Sequence, residues 1–296
     1  MKGFLGALGG FLGWLLWVLH VRRRVVMENL RIAFPDWTEA ERRAVGRRTF
    51  LNLGRMASEF LTVTRLSRDD LERMFVYDGE EAKASILAAL AEGKPVVVCT
   101  AHFGNFENLA AVHNLQGYPI AMVVRRLGGG WFGKLWNRGR SSAGLEVLEV
   151  TRGETLKAAQ RAMRQGKVLG YVIDQNMPGH RAVFPTFFGV PAATAPTPAY
   201  LAMRSGATVY FMLDVPQEDG RHRIVIEGPI APPDTGDREA DVLAFLQDLN
   251  DRLERWVRRH PDRWYWLHRR WKTSPPADGG RRRGGGRRID RPGGAG

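Results

Sequence analysis

The chain has 296 residues, 44% hydrophobic and 25% charged, enough apolar material for one large domain or two small ones and too much for a chain disordered over most of its length. Its single cysteine excludes an intramolecular disulfide framework and any paired-cysteine metal site. Forty-four Lys and Arg against 31 Asp and Glu give a net charge of +13, which favours anionic partners: nucleic acid, anionic lipid or a phosphorylated substrate.

In chain order, the first feature is an uncharged run at residues 3–19, GFLGALGGFLGWLLWVL, between Lys2 and the triplet Arg22, Arg23, Arg24. As a helix it would be ~25 Å long at ~1.5 Å per residue, slightly short of a bilayer core. No small-x-small cleavage site follows it, and it is apolar on every side. The expectation is a single membrane anchor, or a helix lying in one leaflet, rather than a cleaved signal or a core helix. The positive-inside rule then puts the arginines and everything after them in the cytoplasm.

Helical periodicity covers residues 38–64, opened by a capping box between Thr38 and Glu41. A repeated unit follows. EEAKASILAALAEGK reads as helix and PVVVCTA as a buried strand; NFENLAAVHNLQ as helix and YPIAMVV as strand. GWFGKLWNRGRSSAG and LEVLEV continue the alternation, then GETLKAAQRAMRQGK and VLGYVID, then, after an irregular stretch, PTPAYLAMRSG and ATVYFMLDV. HRIVIEGPI adds a late strand, and EADVLAFLQDLNDRLERWVRRH is an amphipathic helix that Pro261 ends. The pattern predicts an α/β fold with a largely parallel sheet flanked by helices. The expected organisation is an anchor and basic flank at 1–24, a folded domain at 25–273 and a Gly/Arg-rich disordered tail at 274–296. The tail holds six arginines and two aspartates, which leaves +9 with residues 1–273. An anionic membrane surface is the simpler partner for such a chain, and nucleic acid is not favoured.

In open α/β sheets, sites form beyond the carboxyl ends of the strands. Those ends carry Ala101-His102, Arg125-Arg126, Thr151-Arg152-Gly153 and Asp174-Gln175-Asn176. The first is the most informative. Five residues at ~100° each put His102 and Glu107 on different faces of a regular helix. They converge if His102 sits in the turn before the helix and Glu107 in its first turns, with Gly104 and Asn105 shaping that turn. Glu107 would then hold one ring nitrogen of His102 and leave the other to take a proton from a hydroxyl. Cys99 lies inside an apolar strand and reads as packing rather than as a nucleophile.

The stretch TAHFGNFE resembles the H-x4-D/E motif of membrane-associated glycerolipid-type acyltransferases. With RRRVVMENLRIAFPDW, VVRR, RSSAG, IDQN, FPTFFGVPAATAPTPAYLA and DRWYWLHRRWK, the chain from about residue 22 to 272 resembles the bacterial lipid A biosynthesis (late) acyltransferases, of lauroyl or myristoyl type. The resemblance implies transfer of a fatty acyl group from acyl carrier protein, or from acyl-CoA, to a hydroxyl of a glycolipid such as a lipid A precursor, at the inner membrane's cytoplasmic face. It implies His102 as general base with Glu107 orienting it, Arg125 and Arg140 as substrate-binding arginines, and Asp174 and Gln175 as a matching Asp-Gln pair on the substrate side. Asn176 departs from the family's usual aspartate. The chemistry so implied needs no metal, no cofactor and no covalent enzyme intermediate. The Trp-rich basic segment at Trp264, Trp266, His268 and Trp271 suits either a membrane or carrier-protein surface or the core; Phe187 and Phe188 suit the core as well as a substrate loop. Two rivals stand beside the enzyme: a membrane-tethered protein that binds anionic ligands through its arginines, and an inactive relative.

Overall fold

The computed structural model describes residues 2–124, 130–149, 155–179 and 181–276. The N-terminal helix α1 (Lys2–Val18) is followed by α2 (Arg23–Ala33), α3 (Glu39–Val63) and α4 (Arg68–Met74). The alternating part then runs β1 (Phe75–Asp78), α5 (Glu80–Ala91), β2 (Val96–Thr100), α6 (Phe106–Leu115), β3 (Ile120–Val124), α7 (Trp131–Ser142), β4 (Glu146–Glu149), α8 (Thr155–Arg164) and β5 (Val168–Val172). A small hairpin, β6 (Thr186–Phe187) and β7 (Val190–Pro191), precedes α9 (Thr197–Ser205), β8 (Thr208–Pro216), β9 (His222–Ile230) and α10 (Arg238–Arg259).

Seven strands form one sheet in the order β1-β9-β8-β2-β5-β3-β4. The run from β8 to β4 is parallel throughout; β9 is antiparallel to β8, and β1 is parallel to β9. The α/β reading with a mostly parallel sheet therefore holds, and Thr38 and Glu41 cap α3 reciprocally as expected. Strand β2 is buried along its whole length, as a strand covered on both faces must be. Val97, Cys99 and Ala101 point into a core shared with α8, α9 and α10, while Val96 and Val98 point into a second core shared with α5 and α6.

The N-terminus departs from a free-standing anchor. Among the described residues, no single helix is long and apolar enough to cross a membrane; α1 and α2 reach that composition only together, across an 88° bend. The bend falls where His20 and Arg22 adopt left-handed backbone, φ 60° and 53°. One stripe of α1 is occupied by protein: Gly9 and Gly13 lie so close to the backbone of Phe50 and Gly54 on α3 that neither helix has room there for a Cβ. Trp17 continues the stripe against Phe50, ring centroids 5.5 Å apart. The glycines of α1 make a close helix crossing with α3. The opposite face stays open, with Phe4, Phe11, Leu12 and Leu19 exposed. The tail assigned to 274–296 falls from residue 277 onward outside the described residues.

Candidate active site

The site grows from the ladder between β2 and β5. That ladder pairs Val97 with Leu169 and Thr100 with Val172, an offset that carries past the strand ends to set His102 opposite Asp174. The Ile173 amide still donates to the Thr100 carbonyl at 2.9 Å, so the two chains leave the sheet together. Asp174 is fully buried and accepts three bonds: from the His102 amide at 3.0 Å, from the His102 ring at Nδ1 (2.8 Å) and from the Trp264 indole N–H (2.7 Å). Burial alone would raise its pKa, but the facing His102 and His268 and the bond from Trp264 outweigh burial and hold it well below the usual carboxylate range. An ionised Asp174 fixes the tautomer of His102. Nδ1 carries the hydrogen, and Nε2 is left as an acceptor pointing outward, where the exposed amide of Gln175 stands 3.1 Å away. That is the disposition of a general base.

Glu107 is elsewhere. Neither ring nitrogen of His102 takes it as a partner; both its carboxylate oxygens accept from Arg140, Oε2 from Nε at 2.9 Å and Oε1 from Nη2. The pair is buried and ties α6 to α7. This corrects both expectations together. Glu107 does not orient His102, because α6 starts at Phe106 and turns the next side chain away from the rim. Arg140 offers no free fork to a phosphate, because Glu107 engages it on two of its nitrogens. Asn105 caps α6, accepting from the Asn108 amide at 3.1 Å, while its own amide donates to Glu59 of α3 at 2.8 Å. Arg125 lies outside the described residues.

In the sequence Asp174 reads as a substrate-side residue, with no sign that His102 is its partner. Its signals were its position at a strand end, shared with every other rim residue, and the Asp-Gln match, and neither names a partner. Asn176 uses both ends of its amide on one residue, donating to the Thr273 hydroxyl and accepting from the Thr273 amide, each at 3.1 Å. An aspartate there would lose the donor half.

The Trp-rich segment forms the floor of the site rather than a membrane surface. Trp264 and Trp266 are fully buried, and Trp271 is half-buried with its indole N–H donating to the Phe187 carbonyl at 3.3 Å. Tyr265 donates its amide to the His102 carbonyl at 2.9 Å, so this segment grips the catalytic turn directly. Burial pushes His268 down to about 4, which keeps it neutral at physiological pH. Arg270 is also buried, its fork on the Ala193 carbonyl and the Thr194 hydroxyl, and burial pushes it down to about 10. Phe187 and Phe188 are core. Cys99 is no nucleophile: burial pushes its thiol up to about 12.

On the α5/α6 side of the sheet lies an apolar cavity that shares Phe106 with the surroundings of His102. The ring of Phe106 lies 4.7 Å from that of His102, edge-on, and forms one wall. Phe106, Leu109, Ala110 and His113 line it at helical spacing, with Val98 and Met122 on the sheet below. The lining from the first turn of α6 to Tyr118 beyond its end spans roughly 15 Å at ~1.5 Å per residue.

A histidine held by a buried carboxylate, at the strand-end rim of a mostly parallel sheet and against an aromatic wall of an apolar cavity, defines the candidate active site. Residues 3–273 match the family model of bacterial lipid A biosynthesis acyltransferases, and the chain belongs to that family: it is an O-acyltransferase. It is 26% identical over 263 residues to the lipid A biosynthesis lauroyltransferase of Escherichia coli (strain K12), covering 86% of this chain and 80% of that protein. It is 26% identical over 257 residues to the lipid A biosynthesis myristoyltransferase of the same organism, covering 86% and 77%. It is also 26% identical over 187 residues to the phosphatidylinositol mannoside acyltransferase of Mycolicibacterium smegmatis (strain ATCC 700084 / mc(2)155), covering 62% and 59%.

Proposed function

We propose that this protein transfers a fatty acyl chain from an acyl carrier protein thioester to a hydroxyl of a lipid A precursor at the cytoplasmic face of the inner membrane. The observation that carries the reading is the His102–Asp174 pair, with Nε2 beside the exposed Gln175 and the ring against Phe106 of the apolar cavity. His102 Nε2 takes the acceptor hydroxyl proton as that oxygen attacks the thioester carbon. The tetrahedral intermediate collapses, the carbon–sulfur bond breaks, and the leaving thiolate takes the proton back from Nε2. Asp174 stays ionised throughout and stabilises the imidazolium formed between the two transfers. The cavity receives the acyl chain, so the thioester carbonyl comes to rest between Phe106 and His102. Gln175, beside Nε2, contacts the acceptor. Arg125, at the end of β3, serves the substrate's phosphate or the oxyanion.

The membrane attachment fits a helix lying against the bilayer. α1 presents Phe4, Phe11 and Leu12 on the face away from α3, the exposed Leu19 comes just after it, and Arg22, Arg23 and Arg24 follow toward anionic headgroups. The excess positive charge of the folded part favours an acidic carrier protein as donor.

The test is acyl transfer by a membrane fraction supplied with labelled acyl carrier protein or acyl-CoA thioester. A panel of acceptors that includes a lipid A precursor and a phosphatidylinositol mannoside is offered to wild type and His102→Ala. Transfer to the lipid A precursor by wild type alone is the expected result. Transfer only to the mannoside moves the acceptor assignment, and equal transfer by a folded His102→Ala removes His102 from the chemistry.

A further inference from the structure

Thr100 is the last residue of β2 and is 2% exposed. Its Oγ1 is one of three buried side-chain polar atoms among the described residues with no hydrogen-bond partner. A hydroxyl in that state is destabilising, because it has given up its bonds to water and gained none in the fold. A valine of the same shape would avoid that cost. Val98, Phe106, Met122, Gly170 and Met212 are among the residues that line the apolar cavity. Thr100 itself lines that cavity. Strand alternation puts Thr100 on the same side of the sheet as Val98, and Phe106, which lines the same cavity, touches the ring of His102.

We propose that Thr100 is a catalytic residue, whose hydroxyl donates a hydrogen bond to the thioester carbonyl oxygen and to the oxyanion that this oxygen becomes. The inference rests on the acyl-transfer reading above and adds to it the donor that the His102–Asp174 pair does not supply. An acyl chain lying along α6 must bring its carbonyl out where the cavity meets His102, and Thr100 is the polar group on the cavity wall at that place. As the acceptor oxygen attacks, negative charge collects on the carbonyl oxygen and the Thr100 O–H is already aimed at it. When the carbon–sulfur bond breaks, the charge passes to sulfur, and His102 returns its proton there. A donor placed before the reaction and paired only during it contributes where catalysis needs it, in the transition state. The unpaired hydroxyl of the free enzyme is the cost of that arrangement.

Thr100→Val and Thr100→Ser, assayed in full-length protein beside wild type with an acyl carrier protein thioester, test this. The expected result for Thr100→Val is a kcat roughly a hundredfold lower, a donor KM within about threefold of wild type, and a melting temperature equal or higher. Thr100→Ser, which keeps the hydroxyl, should keep kcat within about tenfold of wild type. A purely structural threonine would give the opposite split, with stability moving and kcat unchanged. Thr100→Val turning over within about threefold of wild type overturns the proposal. Should Thr100→Val fold poorly, Thr100→Ala against Thr100→Ser decides: equal kcat in those two overturns it, and a loss confined to Ala supports it. If wild type itself transfers acyl groups to no acceptor, the acyl-transfer reading falls and takes this one with it. If only Thr100→Val is unaffected, the acyl-transfer reading stands and the role of Thr100 alone is lost.

Discussion

His102 and Asp174, 72 positions apart, meet because the β2–β5 register continues beyond the strand ends and brings Nδ1 to within 2.8 Å of Oδ1. Asp174→Asn keeps the shape and removes the charge. An amide there can present its N–H to Nδ1, which favours the tautomer with the hydrogen on Nε2 and leaves no lone pair facing the acceptor. A kcat loss of roughly a thousandfold with donor KM little changed is expected, comparable to His102→Ala. Steady-state kinetics of the two single variants and the double variant check it. Losses that multiply in the double variant would mean the two residues do not act as one unit.

Glu107 and Arg140 form the buried pair that α6 and α7 share. Removing one partner strands a buried charge, so Glu107→Ala and Arg140→Ala should each cost about 3–5 kcal/mol. Replacing both with apolar residues of similar volume, Glu107→Leu with Arg140→Met, should recover most of that stability. Thermal unfolding of the three variants reads the effect. Acyl transfer by the folded double variant within about tenfold of wild type is expected, since neither side chain is assigned to the chemistry. A folded but inactive double variant would return the pair to the mechanism.

The open face of α1 and its glycine face should separate by experiment. Phe11→Glu with Leu12→Glu places charge on exposed positions, and should abolish sedimentation with vesicles containing anionic lipid while leaving the melting temperature within a few degrees, as surface changes do. Gly54→Leu has no room against Gly9 and should lower the melting temperature by displacing α1 from α3. Vesicle binding that survives the Phe11 and Leu12 changes would move membrane contact to another surface.

His222 gives a pH dependence. Burial alone would lower its pKa, but Asp214 at 2.8 Å on β8 and Glu59 at 3.8 Å on α3 raise it to a net value above the ordinary one, against the opposing charge of Arg263. A histidine with a raised folded pKa stabilises the fold fully below its unfolded pKa of about 6.5, and that contribution disappears as pH rises through the folded value. The melting-temperature difference between wild type and His222→Gln should therefore be largest near pH 6 and shrink as the pH is raised well above the ordinary histidine value. A difference constant over that range would show His222 to be held neutral.

How much of this was legible in advance follows from what each feature depends on. The helices and strands from Glu80 to Arg259 announce themselves through apolar runs and helical spacing, because those patterns are local. α4, β1 and the β6–β7 hairpin did not. β1 has four residues, and the hairpin strands have two each, too short for any periodicity. A capping box between Ser67 and Asp70 marks the start of α4, and was the one signal available there. The rim that holds His102 was placed correctly because a parallel sheet puts its strand ends on one side whatever the strand order.

The choice between Glu107 and Asp174 as partner of His102 could not be made from the sequence. A spacing of five residues suggests a local pair, but a partner is fixed by which strands lie side by side, and β2 finds β5 and β8 from distant parts of the chain. The same holds for the N-terminus. Its sequence determined an apolar, glycine-rich helix followed by arginines. Only the fold decided that the glycines face α3, because backbone close enough to exclude a Cβ exists only where a second helix has come to meet it. Composition and local periodicity thus set the elements, the basic charge and the histidine at the rim. Register and helix packing, which join residues far apart in the chain, decided which carboxylate bonds to that histidine and which face of α1 is left open.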